Sequence, residues 1–218
     1  MNKLTKLASI VAVATLVGCA TPGQVDMPHV KAHDVQIMEQ KKVAYEITYQ
    51  APEYGVFVDG EMLPTMQISE ARLNGSTRTV INNFNQILAT QLPSNALVVN
   101  SGEGDYKVVA HIKAFDGEGP VTVEDLIGET LLKETLTLGF ASNEQEIVAN
   151  FEVTYTVVDS NGSELISKSY KVNDSVEHEK SDYEIADING KRLTGELFKK
   201  HITLTLNEFV KEIANLQS

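Results

Sequence analysis

The chain reads as an α+β domain, a two-layer sandwich of one mostly antiparallel sheet with two amphipathic helices packed on one face. Three observations predict it. Several segments alternate apolar and polar residues with a two-residue period, as half-buried strands do. Two others carry one apolar stripe at helical spacing. The elements run strand, helix, strands, helix, and a sheet covered on one side by helices accommodates that order with short connections. Of 218 residues, 42% are hydrophobic and 22% charged, so the chain has apolar material for a core. One domain is expected over residues 42–218, with an insertion at about 116–146.

The first strand is Val43–Tyr49, in which Val43, Tyr45, Ile47 and Tyr49 share a face. Residues 51–72 are irregular, and Asp59-Gly60 between apolar neighbours suits a small hairpin. Asn74-Gly75-Ser76 leads into a helix whose Val80, Ile81, Phe84, Ile87, Leu88 and Leu92 form a single stripe. Ser76 is placed to cap it, and Pro93 falls just past its end. Ala96–Val99 and Asp105–Phe115 are read as strands, joined by a turn at Ser101–Gly104. In the 116–146 insertion, Val123–Leu132 suits a helix while Leu136, Leu138 and Phe140 alternate as a strand does. Ile147–Tyr170 is a hairpin around Asp159-Ser160-Asn161-Gly162, since Asn-Gly supplies the positive φ of a tight turn. The last element is a helix over about 191–216, with Phe198, Ile202, Thr205, Phe209, Ile213 and Leu216 at spacings of three and four. At 1.5 Å per residue it runs about 40 Å, enough to cross a four-stranded sheet.

The start of the chain has a different character. Lys3 and Lys6 precede an apolar run from Leu7 to Val17, closed by Leu16-Val17-Gly18-Cys19. The run is well short of the ~20 residues a membrane-spanning helix needs, and the pattern is that of a secretory signal over residues 1–18. Leu-Val-Gly-Cys at this distance from a basic start resembles the lipobox of bacterial lipoproteins. The resemblance implies cleavage between Gly18 and Cys19, a diacylglycerol thioether on Cys19 and an acylated amine. Cys19 is the only cysteine, so no intramolecular disulfide competes for it. In Gram-negative lipoproteins an aspartate after the cysteine marks inner-membrane retention, so Ala20 implies the outer membrane, facing the periplasm. Residues 19–41, polar with Pro22, Gly23 and Pro28, read as a lipidated flexible tether spanning about 25 Å.

The charge narrows the partners. The net charge is −12, and removing Lys3 and Lys6 makes the remainder more acidic still. Nucleic acid is excluded as a partner, because phosphate binding needs clustered cations. Anionic lipid repels such a surface, so membrane attachment must come from the Cys19 lipid, at about 0.8 kcal/mol per buried CH₂.

No catalytic residue, metal ligand or cofactor is expected. The chain has no Gly-x-Ser-x-Gly, no P-loop and no His-Glu-x-x-His. His29 and His33 are four apart but lie among prolines and read as solvated. His111 and His201 read as partly exposed or hydrogen-bonded residues. Asp159–Glu164 opens like a calcium loop, but Glu164 and Tyr170 stand where such a loop needs Gly and Glu. The insertion is more apolar than a surface loop requires. Its Leu126, Ile127, Leu131, Leu132, Leu136, Leu138 and Phe140 either complete the core or form a docking patch for a partner or lipid.

The element order, the lipobox, Leu92-Pro93 after the first helix and Asp105-Tyr106-Lys107-Val108 together resemble the LptE-like and PqiC-like auxiliary lipoproteins of lipid transport systems. That resemblance implies a non-enzymatic accessory subunit of an envelope transport or assembly complex, with an envelope protein as partner. The insertion departs from the pattern. A periplasmic lipid- or small-ligand-binding module with residues 116–146 as lid is the alternative.

Overall fold

The computed structural model describes residues 23–55, 60–100, 104–125, 143–180 and 188–216. The leader 1–18, Cys19, the hairpin tip at Asp59, the turn residues 101–103 and the apolar stretch 126–140 lie outside them. The architecture is the expected one, a mixed α+β fold around a large, mostly antiparallel sheet.

Strand β1 (Lys42–Gln50) alternates as the sequence predicts, with Val43, Ile47 and Tyr49 buried. Along one edge it pairs in parallel with β4 (Tyr106–Ala114), Tyr45 opposite Val108. Its other edge therefore holds two short strands end to end. These are β2 (Met66–Gln67), antiparallel at Thr48 and Tyr49, and β3 (Leu97–Val99), parallel at Lys42–Ala44. The β1–β4 pair is parallel because the connection carries two helices, α1 (Gly75–Asn82) and α2 (Phe84–Ala89), across one face.

The rest of the sheet hangs on a long hairpin, β6 (Asn143–Asp159) and β7 (Glu164–Lys180). Since β7 pairs with β6 over its whole length, β4 and β5 (Val121–Asp125) share the other edge of β6. At their junction Phe115 donates to the carbonyl of Asn150, whose own N–H donates to Pro120. Residues 121–125 and 143–146 of the expected insertion are thus sheet strands, which narrows it.

The core lies on one face. Helix α3 (Ile188–Asn215) lies over this face and packs on β5, β6 and β7. Phe198 meets Phe151 with ring centroids 5.4 Å apart, and Phe209 stacks on Tyr155 at 5.3 Å. The Tyr155 hydroxyl is satisfied by Thr205 Oγ1 at 3.1 Å, and burial raises its pKa. The opposite face is polar and bears hydroxyl pairs such as Thr154–Ser169 at 2.7 Å and Thr156–Ser167 at 2.8 Å.

Three expectations need correction. The predicted first helix is two, broken at Asn83, whose φ of −99° and ψ of 10° leave the helical region. The apolar stripe runs on through the break, with Val80, Ile81, Phe84, Ile87, Leu88 and Leu92 all buried. The cap is Asn74, whose Oδ1 accepts from Thr77 N at 2.8 Å, and not Ser76. Ser76 instead lies under Gly195 of α3, where a Cβ would come within 2.9 Å of the serine Cβ.

The third correction concerns the expected tether. Its described part, residues 23–41, is packed on the domain. Val35 and Met38 have no exposed surface, and a short 3-10 turn spans Gln36–Met38. Groups from β7, α3 and the residues between α2 and β3 hold it in place. Prolines and a glycine in a polar stretch suggest coil, but prolines also suit an extended strap lying across helices.

Candidate membrane-anchoring end

The described chain begins at Gly23, which is buried. Its N–H donates to His178 Nδ1 at 3.4 Å, and its carbonyl accepts from Arg192 Nη2 at 3.5 Å, both long bonds. A Cβ here would stand 2.5 Å from the backbone oxygen of Glu177, 3.1 Å from Val176 Cγ1 and 3.2 Å from Leu193 Cδ1. Only glycine fits that gap without movement of β7. His178 itself is 2% exposed.

From Gly23 the segment runs as a strap along the helices. Met27 and Pro28 line a depression of about 480 Å³ with Val80, Ile87, Lys199 and Thr203. Farther along, the Lys31 carbonyl accepts from Asn207 Nδ2 at 3.2 Å, and His33 N donates to the carbonyl of Gln91 at 3.0 Å. Val35 and Met38 then enter the core just before β1. The strap is fastened at several points, so Gly23 is fixed relative to the sheet.

Gly23 lies where β7 finishes and α3 begins. The same end of the sheet holds the last residue of β5 and the first of β6, because Asp125 pairs with Gln145 and Asn143 with Lys180. Leu126, Ile127, Leu131, Leu132, Leu136, Leu138 and Phe140, like Gly18 and Cys19, lie outside the described residues. The described chain leads toward both groups from this one end. Ile188, which opens α3 here, is 68% exposed.

At the other end stands the β6–β7 turn. Asp159 Oδ1 accepts from Asn161 N at 2.8 Å and Ser163 N at 2.9 Å, and Gly162 has the positive φ of 80° expected of it. These backbone bonds, Ser163's first, hold the Asp159 carboxyl below the usual carboxylate range. The acidic turn is thus accounted for without a cation. A polar hollow of about 630 Å³ beside it is lined by Lys42, Asp105, Lys107 and Asp159.

His111 and His201 are engaged in structure. His111 Nδ1 lies 3.0 Å from Thr48 Oγ1 on the polar sheet face. His201 Nε2 lies 2.8 Å from Asp174 Oδ2, which also takes Lys200 Nζ at 2.7 Å. Lys200 first, then His201, lowers the Asp174 pKa, while burial first, joined by the Lys200 charge, lowers that of His201 against the raising effect of the carboxylate. His201 therefore donates as a neutral imidazole near neutral pH. This trio ties β7 to α3. His29 is exposed, as expected, whereas His33 Nε2 is buried. Among the described residues no three His, Cys, Asp or Glu side chains are grouped to hold a metal, and no helix is long and apolar enough to cross a membrane.

Sequence reasoning missed Gly23, His178 and Asp174. Gly23 follows Pro22 and looks like linker. Its enclosing neighbours are more than 150 positions away, so no local signal marks it.

No family model matches the chain, and no curated protein matches it either. Among solved structures, it is similar to a Xanthomonas campestris protein of the DUF330 family at 13% identity, with 88% of this chain and 95% of that one covered and a TM-score of 0.41. It is also similar to a minor lipoprotein from Acinetobacter baumannii at 12% identity, covering 83% and 95%, with a TM-score of 0.32. Superpositions this loose say nothing of role.

Proposed function

We propose that the protein is a lipid-anchored bacterial envelope protein without catalytic activity. It is attached to the outer membrane through Cys19, faces the periplasm and serves as an accessory subunit of a transport or assembly complex. The observation that carries this reading is Leu16-Val17-Gly18-Cys19 behind a basic start, with Cys19 the only cysteine in the chain. Two or more acyl chains give stable anchoring, which outweighs repulsion of an acidic domain. His111, His201, Asp159 and Asp174 are engaged in turns and inter-element ties, which suits a binding module better than an enzyme.

The test is capture from membranes. A tagged form is crosslinked in cells and purified, with Cys19→Ala as control and a Leu131→Ser/Leu136→Ser variant beside it. One stoichiometric envelope protein, absent from the control and lost with the double variant, supports the accessory-subunit reading. No protein above the control contradicts it.

A second reading, a lipid- or small-ligand-binding module, is favoured by one observation. The depression beneath Met27 and Pro28 has the size of a ligand site and apolar walls from Val80 and Ile87. A lid made of all of 116–146 does not fit this reading, since 121–125 and 143–146 are paired strands. Lipid co-purifying with the delipidated domain, and displaced by Val80→Trp, supports the second reading over the first.

A further inference from the structure

We infer that the lipidated protein stands end-on on its bilayer, with the Gly23–His178–Ile188 end at head-group level and the Asp159–Gly162 turn at the far end. This rests on lipidation of Cys19.

Chain length carries the inference. Cys19 precedes Gly23 by four positions. A fully extended chain covers at most about 3.6 Å per residue, so the two Cα atoms are no more than about 14 Å apart. Acyl chains on Cys19 lie in the hydrocarbon, which puts its backbone at the level of the head groups. A free coil from 19 to 41 would reach about 25 Å and let the domain turn in any direction. The strap removes that freedom. Gly23 is enclosed by Glu177, Val176 and Leu193, and the bonds at Lys31 and His33 and the buried Val35 and Met38 fasten the residues after it. The end of the sheet that holds Gly23 therefore comes down onto the bilayer.

The chemistry of that end is mixed, since Glu124, Glu146 and Glu177 stand side by side across β5, β6 and β7, so the strap and not charge sets the orientation. Ile188 offers an apolar side chain at that end, and Lys191 stands close behind it as an exposed cation, while Arg192 is engaged by Glu196 and the Gly23 carbonyl. The broad polar face carries hydroxyls and charges, with Glu46, Lys107 and Lys113 on it, and the exposed Phe115 ring has the Lys113 ammonium 5.8 Å from its centroid. At about 3.3 Å per residue the β6–β7 hairpin is roughly 55 Å long, so its turn would stand well clear of the lipid.

The experiment uses the full lipoprotein purified from membranes and reconstituted in phosphatidylethanolamine/phosphatidylglycerol vesicles. Thioether formation consumes Cys19, so Ile188→Cys or Ser160→Cys supplies the single free thiol for a fluorophore. Both positions are exposed and tolerate the change. Quenching by lipids brominated near the head group should be severalfold stronger for the label at 188 than for that at 160. A Gly-Ser spacer of about ten residues inserted after Ala20 should erase the difference. Equal quenching of the two labels in protein whose mass shows acylated Cys19 overturns the orientation alone. A mass showing unmodified Cys19 overturns the anchor and the orientation together.

Discussion

The backbone N–H of Gly23 donates to Nδ1 of His178 across 155 positions of sequence. This contact joins the incoming chain to the last residues of β7, and Gly23 has no room for a side chain there. Replacing Gly23 by alanine should cost about 1–3 kcal/mol, because the nearest obstacle is a backbone oxygen that moves only with its strand. Urea denaturation measures it. Unchanged stability would mean that Gly23 is not enclosed.

The strap should contribute to global stability. Met38→Ala deletes a side chain with no exposed surface and should cost about 2–5 kcal/mol. His29→Ala, at an exposed position of the same segment, should fall within about 0.5 kcal/mol of the parent. If both are neutral, residues 23–41 are a free tether.

Asp174 and His201 set an acid-side dependence. Both have folded pKa values below their ordinary ones, so each contribution to stability is complete above the ordinary value and is lost as pH falls through the folded one. Stability should therefore decline in two steps, one below about pH 6.5 from His201 and His111 and one below about pH 4 to which Asp174 contributes. Asp174→Asn should reduce the lower step, the rest of which comes from Asp159 and Glu46. It should enlarge the upper one, since the carboxylate is what holds the His201 pKa up. Denaturation midpoints from about pH 2 to 8 check this, and an upper step that shrinks would contradict the assignment.

Helices α1 and α3 touch closely at Ser76 and Gly195. Gly195→Val should cost about 1–3 kcal/mol by overpacking. Adding Ser76→Gly should return part of it, so the two changes are non-additive. Additive costs would show that the residues do not meet.

Much of the fold was legible because its signals are local. The alternation in β1, β4 and β6 and the Asn161-Gly162 turn arise from a period of two and a residue that takes positive φ. The long stripe of α3 is equally plain. The break at Asn83 was not legible, since Val80, Ile81, Phe84 and Ile87 keep their helical spacing across it. Nor was the strap. Val35 and Met38 lie in a mostly polar stretch, and their burial depends on core elements that form farther along the chain. The same holds for Gly23 and His178, whose meeting requires the whole β6–β7 hairpin. Short-range chemistry carries the proposed lipidation motif, whereas the geometry that would turn such an anchor into an orientation is made of long-range contacts.

The central claim is that Cys19 is the lipidated first residue of the mature protein. Mass spectrometry of the N-terminal peptide from membrane-purified protein tests it most directly. The expected peptide begins at Cys19 and carries a diacylglyceryl thioether together with an amide-linked acyl chain. A mature N-terminus elsewhere, or a Cys19 thiol free to alkylate, would contradict it.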